Sequence, residues 1–200
     1  MKKLLVYLAI LAAILSGCGS DAPEENSITE QDRAAEEIML LPDGLPRDFT
    51  FCSGVGAWST ELTLNRDGTF SGMHHDSDMG SIGEGYPNGT VYTCRFEGRF
   101  KIVKQINEYT YSLRLVELAT DEIPGTEQIV EGVRYIAAEP YGLGGGTDFL
   151  LYLPGTPYEL LAEEFLRWQL WRGELGGEKD CLSGYAIRNV AMEYGFFSGD

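Results

Sequence analysis

The stretch Trp58 to Gly72, WSTELTLNRDGTFSG, decides the fold class. Trp58, Leu62 and Leu64 share one face of an extended segment, and polar side chains alternate on the other face, which is the period of a half-buried β-strand. Asp67-Gly68 then separates this segment from the next extended one, and such a pair between two alternating segments is a strong hairpin signal. The stretch therefore predicts two antiparallel strands joined by a tight turn.

The same alternation predicts strands through most of the chain. The further predicted strands are Thr90 to about Glu97, Phe100 to Ile106, Tyr109 to Leu118, Glu127 to Ala138, Phe149 to Leu153 and Leu182 to Phe197. Thr156 to Glu159 is a capping box with proline at the first helical position, and apolar residues follow it at helical spacing. We expect a mainly β fold, a single antiparallel barrel or sandwich of seven or eight strands with one late α-helix.

The N-terminus resembles that of a bacterial lipoprotein precursor. An apolar run, Leu4 to Leu15, follows two lysines; it is shorter than the roughly 20 residues of a transmembrane helix and fits the core of a secretory signal peptide. The run ends in Leu15 to Cys18, LSGC, which is similar to the lipobox. The resemblance implies that Cys18 is diacylated and becomes the first mature residue, and two acyl chains give stable membrane attachment. The alternatives are an ordinary signal peptide cut elsewhere and an N-terminal membrane helix.

Three segments follow from this interpretation. Residues 1–17 are the signal peptide, residues 18–40 an acidic flexible tether, and residues 41–200 the β domain. The tether has low hydrophobicity and one predominant charge sign, so it buries too little surface to fold alone; a helix over Thr29 to Leu41 remains an alternative. We expect a cell-membrane protein that is lipid-anchored on the extracytoplasmic face.

The charge balance excludes one class of partner. The chain has a formal net charge of −16 at pH 7, whereas binding to nucleic acid depends on lysine and arginine contacts to phosphate. An acidic domain also stays soluble and does not dock on anionic lipid heads. We therefore expect no nucleic-acid partner, and membrane contact only through the lipid on Cys18.

Two stretches of the domain resemble lipocalin motifs. Gly56-Ala57-Trp58 is similar to the family's G-x-W, and Thr147 to Tyr152, TDFLLY, is similar to its T-D-Y-x-x-Y. The resemblance implies a lipocalin-like closed barrel. The chain departs from the family because the predicted helix follows the second motif too closely for another strand. The arginine expected before that helix has no clear match, although Arg167 and Arg188 are nearby.

A broader resemblance covers Trp58 to Pro154. This part of the chain is similar to uncharacterised surface lipoproteins of Gram-positive bacteria. The segments that carry the resemblance are Trp58 to Leu62, His75 to Gly80, Tyr86 to Thr90 and Glu139 to Gly142. That group implies surface location but no activity.

The residue types needed for catalysis are sparse. There is no GxSxG elbow and no S-x-x-K motif, and the two histidines, His74 and His75, are adjacent. The glycine-rich run 142–146 lacks the Lys-Ser/Thr of a phosphate loop and indicates a flexible connection. We therefore expect no enzymatic activity.

One stretch has the residue types of a metal site. His75, Asp76 and Asp78 could bind calcium or a transition metal if a loop brought them together. The sequence does not fit an EF-hand, because Ser81 occupies the glycine position and Pro87 the position of the bidentate glutamate. The alternative is a polar connection in which aspartates cap turns.

Aromatic residues on the predicted inward faces are the candidates for ligand contact. Trp58, Phe70, Tyr92 and Tyr111 belong to this set, and in a small barrel such side chains either fill the interior or line a pocket. The leading function is a non-enzymatic ligand-binding module. The alternative is a surface interaction or structural module with no cavity, which contacts a cell-envelope partner through loops such as Gly72 to Gly85 and Tyr141 to Thr147. A connected pocket of roughly 300 Å³ or more distinguishes the two.

The remaining cysteines leave their pairing open. Cys94 lies between two aromatic residues of a predicted strand, so we expect a small buried apolar side chain. Cys52 and Cys181 flank the ends of the domain, which a closed barrel would bring together. A Cys52–Cys181 disulfide and three free thiols are both compatible with the sequence.

Overall fold

The chain forms ten strands and one α-helix in the parts that the structure describes. The computed structural model describes residues 39–53, 56–171 and 180–199, so the expectations for the signal peptide, for Cys18 and for nearly all of the tether lie outside the described residues. The strands are β1 Arg47–Cys52, β2 Trp58–Leu64, β3 Thr69–Asp78, β4 Thr90–Asn107, β5 Thr110–Thr120, β6 Glu127–Val130, β7 Val133–Ala137, β8 Asp148–Tyr152, β9 Ala186–Asn189 and β10 Tyr194–Ser198. The helix α1 is Glu163–Trp171.

Eight of these strands close into an antiparallel barrel. Their order around the barrel is β1, β2, β3, β4, β5, β8, β9 and β10, and β10 pairs with β1 to complete the circle. Each barrel strand thus pairs with the barrel strands that precede and follow it in the chain. Strands β6 and β7 form a hairpin inserted between β5 and β8, and β7 pairs in parallel with the first residues of β4. The mainly β prediction is confirmed, and of its two forms the structure has the barrel.

The hairpin predicted for Trp58 to Gly72 is confirmed. β2 pairs with β3 from Leu64 opposite Phe70 to Trp58 opposite Asp76. In the turn, Asp67 Oδ1 accepts hydrogen bonds from the backbone N–H of Thr69 at 3.0 Å and from its hydroxyl at 2.6 Å. These two bonds, the hydroxyl first, lower the pKa of Asp67. The side chain of Asp67 thus fixes the turn that sets the register of the two strands.

Strand β4 is longer than the sequence predicts. We expected separate strands over Thr90 to Glu97 and Phe100 to Ile106, but β4 runs through both as 18 continuous residues. Gly98, which favours a break, lies inside the strand. A Cβ atom built there would be 2.4 Å from the ring of Phe70, so this glycine makes room for a core aromatic side chain and does not end the strand.

Two segments predicted as single strands are hairpins. Glu127 to Ala138 turns at Glu131-Gly132, where both residues have positive φ. The segment from Leu182 to Phe197 contains β9 and β10, which turn back just before Tyr194. Strand β1 precedes the first predicted strand, and β9 and β10 complete the barrel after the helix.

The late helix exists, but it begins seven residues after the predicted cap at Thr156. The hydroxyl of Thr156 donates to the carbonyl of Leu153 at 2.6 Å, and only a short 3₁₀ turn, Tyr158–Leu160, follows it. The capping-box prediction was wrong because this hydroxyl closes a turn with the preceding strand. Helix α1 packs outside the barrel through the buried Phe165, whose ring centroid lies 5.4 Å from that of Tyr152 and 5.1 Å from that of Phe197.

Phenylalanine and aliphatic side chains fill the barrel interior. The ring of Phe100 lies 4.7 Å from that of Phe70 and 4.9 Å from that of Phe149, centroid to centroid. The other fully or almost fully buried members are Phe49, Phe51, Leu62, Leu64, Phe96, Leu113, Leu151, Ile187 and Phe196. These close contacts are typical of a small barrel whose interior is filled by side chains.

One end of the barrel, which we call the Leu41 end, is sealed by the segment 39–46. Leu41 is 0% and Leu45 4% exposed, and both belong to the interior core. The backbone N–H of Leu41 donates to the carbonyl of Arg66 at 2.8 Å, and Arg66 Nε donates to the carbonyl of Leu41 at 3.0 Å. The seal is thus apolar inside and hydrogen-bonded at the rim.

Cys52, Cys94 and Cys181 are free thiols. The Cys52–Cys181 disulfide is therefore not formed, and the free-thiol alternative holds for these residues. Among the described residues, no helix combines the length and the apolar character needed to cross a membrane.

Candidate functional site

Aromatic rings gather at the other end of the barrel, which we call the Trp58 end. Phe51 is their centre: its ring centroid lies 4.9 Å from Trp58, 5.5 Å from Tyr141, 4.8 Å from Trp168 and 5.0 Å from Tyr194. These residues come from β1, β2, the loop after β7, α1 and β10. The end is closed by side chains that carry polar atoms at one edge, in contrast to the leucines of the Leu41 end.

The loop 138–147 crosses this end and is held at two points. The hydroxyl of Thr60 donates to the carbonyl of Tyr141 at 2.8 Å. The buried amide of Asn189 donates to the carbonyls of Gly142 at 3.1 Å and Gly144 at 3.0 Å. Leu143 lies between these points and is fully buried.

A glycine is required where the loop passes closest to the core. Gly142 has φ +96°, and a Cβ atom there would lie 2.7 Å from the rings of Phe51 and Phe196. We expected the glycine-rich run to indicate a flexible connection, but its first glycine serves close packing and positive φ. The loop therefore gives the Trp58 end a defined wall.

An open cleft of about 380 Å³ lies beside this wall. Its described lining residues are Trp58, His74, Asp76, Tyr92, Ala138, Glu139 and Tyr141. The volume exceeds the roughly 300 Å³ expected of a small-molecule site. Aromatic rings, an imidazole and two carboxylates thus face one space at the rim of the barrel.

A larger depression, of about 630 Å³, lies on the outer face of β1 to β4. Exposed strand residues of both charge signs, such as Glu61, Arg95 and Glu97, form its walls, and its phenylalanines belong to the barrel core. The larger depression does not combine an aromatic wall with a buried polar group. The cleft beside Trp58 does, so it is the candidate site.

His74 is the most buried polar residue of the cleft, at 5% exposure. Its Nδ1 lies 3.0 Å from the carbonyl of Ser59 and 2.9 Å from the hydroxyl of Thr60. That hydroxyl donates its own proton to Tyr141, so both neighbours of Nδ1 can only accept. The partners therefore assign the proton of the neutral ring to Nδ1, and Nε2 is left as an acceptor for a ligand.

Burial disfavours the charged forms of two groups in the cleft, the imidazole of His74 and the phenol of Tyr141. Burial lowers the pKa of His74, against the opposing effects of the Ser59 carbonyl and the charge of Asp76. Burial, and then the hydrogen bond to Tyr194, raises the pKa of Tyr141 to about 12. The described lining holds no lysine or arginine, so its formal charges are the carboxylates of Asp76 and Glu139.

The structure separates the four aromatic candidates into two pairs. Trp58 and Tyr92 line the cleft. Phe70 is 3% exposed inside the barrel, and Tyr111 packs against the barrel core from β5 and is not part of the cleft. Alternation identified the right face of each strand, but it does not tell how far along the barrel a side chain lies.

Five residues of the cleft were not among the candidates for ligand contact: His74, Asp76, Ala138, Glu139 and Tyr141. Of these, Asp76 was a candidate for the metal site only. His74 has the same parity on β3 as Phe70 and Asp76, so the period-two pattern alone could have found it. Glu139 and Tyr141 lie in an irregular loop that no periodic signal covers, and only the fold brings them to Trp58.

The metal candidates are not brought together. His75 and Asp76 are consecutive on β3 and therefore point to opposite faces. Asp78 Oδ1 accepts hydrogen bonds from the backbone of Gly80 at 2.9 Å and of Ser81 at 3.1 Å, which is the turn-capping alternative. Within the described ranges, no three His, Cys, Asp or Glu side chains are grouped in a way that could hold a metal ion.

Comparison with protein-family models, with curated proteins and with solved structures found no match to this chain.

Proposed function

We propose that this protein is a non-enzymatic ligand-binding lipoprotein that captures a small molecule in the cleft at the Trp58 end. The observation that carries the proposal is the cleft itself, about 380 Å³ of space between Trp58, Tyr92 and Tyr141 with His74 at its base. Aromatic walls supply contact area, and a few polar atoms supply orientation, which is the usual composition of a small-molecule site.

The polar groups of the cleft favour binding over catalysis. Thr60 and His74 are 2.9 Å apart, a distance that suits a nucleophile and its general base. However, the Thr60 proton goes to the Tyr141 carbonyl, and Nδ1 of His74 carries a proton of its own, so this imidazole nitrogen cannot accept the hydroxyl proton. Cys94 is also a poor nucleophile, because burial raises the pKa of its thiol to about 11.

The alternative function, a surface module without a cavity, depends on exposed loops alone. The loop from Tyr141 to Thr147 is tied to Thr60 and Asn189 and contributes Tyr141 to the cleft. This arrangement favours the ligand-binding proposal, in which the loop forms one wall of the site.

The proposed location follows from the sequence of the first 20 residues. Lipid on Cys18 would hold the domain outside the membrane, with the acidic tether as a spacer. Replacing Cys18 with alanine should release the protein from membranes or leave its precursor uncleaved, and intact-mass measurement of the mature protein should find two acyl chains on Cys18. An unmodified Cys18, or cleavage at another residue, would reject the anchor.

Removal of one cleft wall tests the binding proposal. A library of small polar, charged and aromatic compounds is screened against the full chain by ligand-observed NMR, and the hits are titrated against Tyr92→Ala and Tyr109→Ala. Tyr92 lines the cleft, whereas Tyr109 lies at the turn between β4 and β5. We expect Tyr92→Ala to weaken binding of the hits about tenfold and Tyr109→Ala to leave it unchanged. Equal affinity for both variants, or a screen with no hits, would count against the proposal.

A further inference from the structure

We infer that the ligand of the cleft is an organic cation that carries a substituted ammonium group. The inference rests on the proposed binding function and specifies its ligand class. It follows from three features of the cleft: the polarity of its hydrogen-bonding atoms, the nature of its walls and the state of His74.

The charged and buried polar groups of the described lining accept hydrogen bonds. Asp76 and Glu139 present carboxylate oxygens, which only accept when ionised. His74 presents Nε2, since its Nδ1–H is directed to Ser59 and Thr60. An anionic or acceptor-rich ligand would meet unfavourable charge here, whereas a positively charged group with polarised hydrogens would match all three residues.

The walls of the cleft suit a bulky cation. Trp58 and Tyr141 pack edge to face, with centroids 5.0 Å apart, and Tyr92 lines the same space. Aromatic faces attract cations through the ring quadrupole, most strongly for tryptophan, and such walls are used to recognise quaternary ammonium groups. The carboxylates and the imidazole are not grouped closely enough to hold a metal ion, so the spacing favours a larger cation.

His74 gives a separate reason to expect a hydrogen-bond donor on the ligand. The residue is 5% exposed, and its Nδ1 is occupied by Ser59 and Thr60, so Nε2 is the ring nitrogen that remains for a donor in the cleft. Because its pKa is lowered, the ring stays neutral and does not repel the cation.

The charge of the whole chain acts in the same direction. A formal net charge of −16 attracts cations from solution, and this attraction weakens as salt is added. The net charge attracts any cation, whereas the cleft selects among cations because its two carboxylates lie beside aromatic walls.

The test compares a cation with its neutral isostere on the full chain. Choline is titrated alongside 3,3-dimethylbutan-1-ol, which has the same shape without the charge, at about 150 mM salt so that long-range attraction is screened. We expect choline to bind at least tenfold more tightly. We expect Glu139→Gln to weaken choline about threefold to fivefold and Glu61→Gln, an equal charge change on the outer face of β2, to leave it unchanged.

The other outcomes separate the two proposals. Equal binding of both compounds, or preference for the alcohol, would overturn the cation inference and leave the cleft as a ligand site. Equal weakening by Glu61→Gln and Glu139→Gln would also overturn it, because the effect would then come from net charge. If neither compound shifts the NMR signals of Trp58 and Tyr92, the cation inference fails, and the library screen decides the binding proposal separately.

Discussion

The two ends of the barrel are closed by different chemistry. At the Leu41 end, a segment with two buried leucines covers the core, and its backbone is hydrogen-bonded to the turn after β2. At the Trp58 end, a loop and a helix bring Tyr141 and Trp168 against Phe51, and a cleft remains open. A leucine side chain has no polar atom, so it closes a barrel end by excluding water. Tyrosine, tryptophan and histidine can pack against the core on one side and present a polar atom to water or a ligand on the other.

The difference assigns stability to one end of the barrel and, under the proposed function, ligand binding to the other. The Leu41 end removes apolar surface from water and contributes chiefly to the free energy of unfolding. The Trp58 end keeps carboxylates and an imidazole beside aromatic walls, which suits recognition. Substitutions at the first end should therefore change stability alone, and those at the second should change binding.

The largest effect is expected from Leu41→Ala. Truncation of a fully buried leucine leaves a cavity and lowers the free energy of unfolding by about 2–5 kcal/mol, with no change in ligand affinity of the folded protein. Leu40→Ala is the matched control, because Leu40 is 49% exposed and its loss should cost under about 0.5 kcal/mol. Chemical denaturation measures both variants. Equal stability of the two variants would show that the segment 39–46 does not seal the barrel.

A smaller effect, which involves both stability and binding, is expected from Thr60→Val. This change keeps the side-chain shape but removes the hydrogen bond to Tyr141 and the acceptor for His74. The cost should be about 1–3 kcal/mol, since two buried groups lose a partner. Affinity for cleft ligands should also fall, because the loop that carries Glu139 and Tyr141 loses one of its ties.

Thr63→Val is the control for this change. The Thr63 hydroxyl donates to Asp48 at 2.6 Å on the outer side of the sheet, where water can replace the lost bond. Its removal should cost under about 1 kcal/mol and leave ligand affinity unchanged. Loss of affinity in both variants would mean that the effect is not specific to the Trp58 end.

A still smaller effect concerns the pH dependence of stability. The pKa of His74 is lower in the folded chain than its ordinary value of 6.5, so below pH 6.5 the unfolded chain binds a proton that the folded chain does not. Stability therefore falls as the pH drops from about 7 towards 5, by at most about 1.4 kcal/mol per pH unit for one proton. His74→Gln should reduce this slope, and His75→Gln should keep it. The melting temperature across this range gives the slope, and equal slopes for both variants would contradict the assignment of a buried neutral imidazole.

Much of the fold could be predicted because its signals are local. Two hairpins can be predicted from neighbouring residues alone. The first follows from the alternation in Trp58 to Leu64 and the Asp67-Gly68 turn, and the second from the turn after Asn107. The two segments that contain further hairpins, β6–β7 and β9–β10, were predicted as single strands. The first turns at the non-glycine residue Glu131 with φ 50° and the second at Glu193 with φ 58°, conformations that sequence rarely signals.

The site was only partly predictable because it is assembled from distant segments. Trp58 and Tyr92 were found from strand periodicity, but Phe70 and Tyr111 share that periodicity and belong to the core. Depth along the barrel depends on the register of all eight strands, which one strand's pattern does not contain. Glu139 and Tyr141 reach the cleft through a loop positioned by Thr60 and Asn189, and this contact is non-local.

The most direct test of the central claim is to map where small molecules bind on the full chain. Methyl and indole NMR signals are followed while the best library hit is added, with Leu41 and Leu45 reporting one end and Trp58 the other. We predict that the Trp58 indole and the Tyr92 and Tyr141 amides shift in a saturable manner, while the methyl groups of Leu41 and Leu45 do not move. Saturable shifts at Leu41 and Leu45 without shifts at Trp58 would contradict the assignment of the seal and the binding cleft to these two ends.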